Sequence, residues 1–150
     1  MFGWFRRKKI DSKSIINEMH KCSKKYIDSV LEANPEYKRE DFDYSEKSLE
    51  IVDKLLNRYY ETGAELTRKE HLYCSAYVME CARNEFGGGY KSLNNENPYV
   101  LAIANIGFEI GFCAMEKVHG RVRNGSEDNL VFFYQGIRPY YEKQVSAIIV

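Results

Sequence analysis

The chain carries no net charge, because 22 lysines and arginines offset 22 aspartates and glutamates. That balance leaves no global field to draw the protein to nucleic acid or to an anionic membrane, so any charged site must be local. No run of about 18 apolar residues occurs, which excludes a membrane-spanning helix. No secretory signal is expected either, since Phe2, Trp4 and Phe5 precede the basic residues Arg6, Arg7, Lys8 and Lys9 instead of following them. Cys22, Cys74, Cys81 and Cys113 show no short paired spacing, so neither a disulfide framework nor a cysteine metal site is expected. They read as buried thiols of a reducing compartment, and the chain as cytoplasmic. Internal repeats and low-complexity segments are also absent.

What is present is a chain of 150 residues, enough for one domain that buries roughly 70% of the surface its unfolded form exposes. The stretch from Thr67 to Tyr90 organises the rest. It reads as a helix apolar on most faces that ends at Gly87, Gly88 and Gly89, and such a helix has neighbours on most faces. Thr67 with Glu70 makes a reciprocal cap at its start. The glycines permit positive φ and a sharp reversal at its end.

Before this helix, Ile15, Ile16, Met19, Cys22, Tyr26, Ile27, Val30 and Leu31 recur at spacings of three and four, which predicts an amphipathic helix closed by Asn34-Pro35. A second helix is expected from Asp43 or Ser45, with Asp43 and Glu46 as a reciprocal cap, an inner stripe of Leu49, Val52, Leu56 and Tyr59, and Gly63 as its left-handed stop. Beyond the glycines the period changes. Tyr90 to Leu93 and Tyr99 to Ile106 read as strands, with Phe108 and Ile110 in a turn or a short third strand. Phe112 to Arg123 returns to helical spacing, and Asn124-Gly125 closes it. A last helix is expected from Ser126, weakened or kinked by Gly136 and Pro139, and the terminal Ala147 to Val150 is either an edge strand or a loose apolar tail. The sum is an α+β fold, with four to five helices packed around a small antiparallel hairpin sheet over residues 11–150 and a short tail over 1–10.

The chemistry is sparse. Glu80 interrupts the apolar surface of the central helix, with Arg83 three residues on and within reach on the same face. A functional carboxylate or a satisfied ion pair both fit, and the pair is the simpler reading because one carboxylate and one arginine make neither an acid/base pair nor a nucleophile. His20, His71 and His119 stand in three separate segments without metal-ligand spacing and are expected at surfaces or helix ends. The three glycines follow a helix instead of preceding one, the wrong order for a phosphate cradle. Tyrosine is the outlier, with 12 residues against one tryptophan. These rings either form a recognition surface or bury their bodies and keep their hydroxyls wet.

The combination DYSEKSLEIVDKLL, YVMECARNEFGGGY, an apolar strand and VRNGSEDNLVFFY resembles a bacterial family of small uncharacterised cytoplasmic proteins, over about Asp43 to Gln144. Tyr77, Glu80, Gly87 and Gly88 match that family's tyrosine-x-glycine-glutamate and glycine-glycine-x-tryptophan motifs. Met79 stands where the family has glycine, and Tyr90 where it has tryptophan. The resemblance implies an interaction protein, including the immunity proteins encoded beside secreted toxins. The two departures put a shared ligand site in doubt and leave the fold expectation standing.

The expected function is therefore non-enzymatic binding of a protein partner, in the form of a toxin if the resemblance holds, through Glu80, Arg83, Tyr90, Tyr99 and Tyr77. No cofactor, metal or nucleic acid is expected. A second reading places a small molecule in a pocket around Glu80, and a third uses Trp4 and Arg6 to Lys9 as a weak membrane contact.

Overall fold

The computed structural model describes residues 12–150. The tail expected over residues 1–10, and the membrane contact expected through Trp4 and Arg6 to Lys9, lie outside the described residues. Helix α1 spans Ser12–Ala33 and turns Met19, Cys22, Tyr26, Ile27 and Val30 inward, the three-and-four spacing expected of it. It stops where Asn34 spends both its backbone and its side-chain N–H on the Val30 carbonyl, at 2.8 and 2.9 Å. Helix α2 spans Ser48–Thr62 and buries Leu49, Val52, Leu55 and Leu56, and Gly63 ends it at φ 71°. Its cap differs from expectation. Asp43 accepts the Ser45 N–H at 3.1 Å while Ser45 Oγ accepts the Ser48 N–H at 3.2 Å, so the turn is closed by a relay through Ser45 and not by Glu46.

Helix α3, Arg68–Phe86, is the centre of the packing, buried without a break from Cys74 to Ala82. It lies against α1, against a helix that follows the hairpin, and against the sheet, which is why an all-round apolar sequence can be helical here. The Thr67–Glu70 cap forms in both directions, at 3.1 and 2.8 Å. Each fully buried large side chain in this layer contributes about 1.5–3 kcal/mol of apolar transfer.

Gly87 ends α3, its N–H reaching the Arg83 carbonyl at 2.9 Å. Gly88, at φ 115°, crosses so close to the next strand that a Cβ would stand 2.6 Å from the Ala102 carbonyl oxygen. The chain then makes β1 (Gly89–Lys91), β2 (Val100–Asn105) and β3 (Phe108–Phe112), paired antiparallel. Helix α4 (Ala114–Asn124), a 3-10 turn (Gly125–Asp128), α5 (Leu130–Gln135) and α6 (Ile137–Lys143) follow, and β4 (Ala147–Ile149) closes the chain. The cap of the last helical region is Asn129, whose Oδ1 accepts the Phe132 N–H at 2.9 Å, and not Ser126. Gly136 separates α5 from α6.

The fold is α+β, as expected, but the sheet is mixed rather than purely antiparallel. Its order is β1-β2-β3-β4, and β4 runs parallel to β3. The reason is the crossover through α4, α5 and α6, which brings the chain back to the starting end of β3 before it re-enters the sheet. Registers align Tyr90, Leu101, Phe112 and Ile149 in one inward row across all four strands. All four are buried against the helices.

Candidate functional site

Helical geometry brings Glu80 and Arg83 onto one face of α3. Arg83 donates from Nε to Glu80 Oε2 at 2.7 Å and from Nη2 to Oε1 at 2.9 Å, a two-pronged clamp. The glycine reversal then returns β1 so that Tyr90 donates its hydroxyl to Oε2 at 2.7 Å, and α1 brings His20 Nδ1 to 3.1 Å from Oε1. Burial pulls the Glu80 carboxyl upward in pKa, yet the hydrogen bonds from Arg83, Tyr90 and His20 together outweigh it and hold the group below the usual range. Burial and the Glu80 charge push the Tyr90 hydroxyl well up, so it stays a donor. Glu80 is thus an ionised, fully engaged anion that ties α1, α3 and β1 together.

Of the other expected binding residues, Tyr77 is wholly buried. Its hydroxyl accepts the Tyr44 N–H at 3.1 Å and shares a 2.7 Å hydrogen bond with Ser48 Oγ, and its ring stacks on Tyr44. Tyr77 and Tyr90 are therefore not part of a recognition surface, because the helix and strand that carry them turn those positions into the core. Tyr99 is half-buried against the same core and is not among the donors to Glu80. Arg83, at 29% side-chain exposure, and His20, at 42%, are where the cluster reaches solvent.

His71 lies in the first turn of α3, the helix-end position expected of it, but not at the surface. It is buried, its Nε2 lies 2.7 Å from the Met115 carbonyl oxygen, and its ring stacks on His119 with centroids 3.6 Å apart. Burial, and for His119 the neighbouring His71, hold both imidazoles below their ordinary pKa. The four cysteines are free and buried, as expected, and burial pushes the Cys74 thiol up to about 12, which makes it unreactive. Among the described residues no group of three or more histidines, cysteines or carboxylates is placed to hold a metal.

Two features carry no mark in the sequence, and a third answers an alternative it left open. The first is a buried node at Asp53, which accepts from Arg121 Nε at 2.8 Å and Nη2 at 3.1 Å, from Asn129 Nδ2 at 3.2 Å and from the Leu130 N–H at 2.9 Å. It locks α2, α4 and α5 together. The second is a cleft of about 470 Å³ among α1, α2 and α3, walled by Tyr26, Val30, Leu55, Leu56, Leu66 and Tyr73. Glu80 does not line it. The third is the outer edge of β4, where the terminal segment takes the edge-strand alternative and not that of a loose tail. Ile149 O accepts the Cys113 N–H at 2.9 Å, so Ile149 turns its backbone to β3 and Ile148 turns its own N–H and C=O outward. Ile148 is 41% and Val150 63% exposed, and Val145 and Tyr140 are exposed beside them. Only the apolar ending could have signalled this edge, and a loose tail fits that ending equally well.

No family model matches the chain, and neither a curated protein nor a solved structure matches it. What fold and site define is an α+β protein whose conspicuous carboxylates are internal and whose free features are an apolar cleft and an open strand edge. No helix among the described residues is long and apolar enough to cross a membrane.

Proposed function

We propose that the protein works by binding another protein, and that an extended segment of the partner adds to the sheet along β4. The observation that carries this reading is the open, uncharged edge. Residues 145–150 hold no charged side chain and no proline, and β4 has no strand on its outer side among the described residues. Edge strands are normally blunted by short length, charge, proline, a bulge or a cover, and β4, three residues long, has its short length but neither charge nor proline. Main-chain pairing at Ile148 would supply affinity, and the exposed Ile148, Val150 and Tyr140 would supply side-chain contacts. The resemblance of the sequence to immunity-type families extends the proposal to a toxin as the partner, and it is the support for that extension.

The test is affinity capture from the native lysate with the tagged protein and two variants. Ile148→Pro removes an N–H that points away from β3, so the fold survives while strand addition is blocked. Capture of one stoichiometric partner by the parent chain and its loss on Ile148→Pro is the expected result. Retention of that partner by Ile148→Pro, with loss on Tyr99→Ala, would move the interface to the half-exposed Arg83 and Tyr99 at the helix–hairpin junction.

A further inference from the structure

We infer that the cleft among α1, α2 and α3 is a binding site for a single-chain carboxylic acid, an apolar tail carrying one anionic head. This goes beyond the protein-binding reading and does not depend on it. The cavity holds about 470 Å³, within the range of roughly 300–1,000 Å³ that small-molecule sites occupy. Its walls are apolar side chains from three helices. Tyr26 and Val30 come from α1, Leu55 and Leu56 from α2, and Tyr73 from α3, with Leu66 from the α2–α3 link. On the α1 side the rim consists of Ser29 and Ala33, one turn apart and both exposed, so small side chains keep the mouth open.

The polar groups at the mouth decide the head. Glu70, the carboxylate of the lining, is fully engaged. Its Oε1 accepts the Thr67 N–H at 2.8 Å and its Oε2 accepts the Tyr59 hydroxyl at 2.6 Å. Arg58 is held by Asn34 Oδ1 at 2.6 Å and by Glu36 at 3.6 Å. Lys69 is exposed and makes no hydrogen bond or ion pair with any described residue, so its ammonium is the charge left to meet a ligand. It sits in the first turn of α3, where the positive end of the helix dipole adds to its attraction for an anion. Cys74 at the wall carries a thiol pushed up to about 12, so the site binds without forming a covalent bond. An apolar pocket with one uncommitted cation at its lip is complementary to an acyl carboxylate and not to a cation or a polyanion.

The experiment is calorimetric titration of the purified protein with decanoate and with neutral decanol, paired with thermal melts. The parent chain is expected to bind decanoate one to one, with a raised melting temperature. Ala33→Trp, which fills the mouth from an exposed helical position, is expected to abolish binding, and Ser29→Trp repeats the test should the first variant fail to fold. Lys69→Met, which keeps the stem and removes the charge, is expected to weaken decanoate about tenfold, the equivalent of one charge-assisted contact, and to leave decanol unchanged. Failure of decanoate to bind the parent overturns the proposal. So does decanoate binding that survives both tryptophan variants, or binding that is indifferent to Lys69→Met.

Discussion

Glu80 and Asp53 are both buried carboxylates that accept four hydrogen bonds, two of them from the Nε and Nη2 of a single arginine. They differ in where the arginine comes from. Arg83 is three residues from Glu80 on the same helix and keeps 29% of its side chain exposed. Arg121 lies 68 residues from Asp53 in the chain and keeps 4%. A local pair forms as soon as α3 winds and remains partly hydrated, so its arginine has water to fall back on. A distant pair forms only when α2 and α4 dock, and both charges then depend on each other. The arginine is thus supplied within one helix in the first case, with Tyr90 and His20 carrying the links to β1 and α1, whereas in the second the arginine itself is the clasp between elements.

Breaking the distant pair tests this most severely. Asp53→Ala leaves a buried guanidinium with a single neutral partner, Asn57 Oδ1 at 3.0 Å, and frees the Leu130 N–H, and about 3–5 kcal/mol of destabilisation is expected in urea unfolding. Glu80→Ala leaves Arg83 and His20 able to reach solvent, so a smaller loss of about 2–3 kcal/mol is expected. Should Glu80→Ala prove the costlier of the two, the contrast between local and distant pairs collapses.

Acidification sharpens the Glu80 side. Its carboxyl is held below the ordinary value, so its contribution is complete above the usual carboxylate pKa and is lost as pH falls through the folded value. Parent and Glu80→Gln stabilities should therefore converge in acid, which pH-dependent unfolding curves would show. Tyr90→Phe removes one donor and should cost about 1 kcal/mol while moving the Glu80 titration upward, readable by carboxyl carbon NMR.

The smallest effect is expected at a third buried polar site, the stacked His71–His119 pair, where burial rather than an opposite charge governs. Both folded pKa values lie below the ordinary one, so the unfolded chain takes up protons first as the medium is acidified. Stability is complete above about pH 6.5 and declines as pH falls below it. His119→Gln should flatten that limb by less than about 1 kcal/mol, because the His119 ring is only partly buried.

The contrast also marks how far the residues could be read in advance. Glu80 and Arg83 were legible because helical periodicity alone places them together. The role of Tyr90 at Glu80 was half legible: the glycine reversal predicted that the chain would return, but not that the tyrosine would point inward. Asp53 sits beside Val52 in the buried stripe of α2 and carries no local mark, since its partners Arg121, Asn129 and Leu130 belong to other elements. The helix-end position of His71 was legible from its place in the first turn, but its burial was not, because Met115 and His119 arrive from α4.

Taken alone, the amino-acid sequence determined the amphipathic stripes of α1 and α2, the apolar character of α3 on most faces, the Thr67–Glu70 cap and the reversal at Gly87 and Gly88. These depend on contacts within a few residues, where spacing is geometry. Tertiary structure alone decided that β4 lies parallel to β3, that Tyr77 and Tyr90 face the core, that Asp53 meets Arg121, and that a cleft opens among α1, α2 and α3. Each of those depends on how elements distant in the chain dock, and docking is set by the complementarity of whole faces, which local periodicity does not encode.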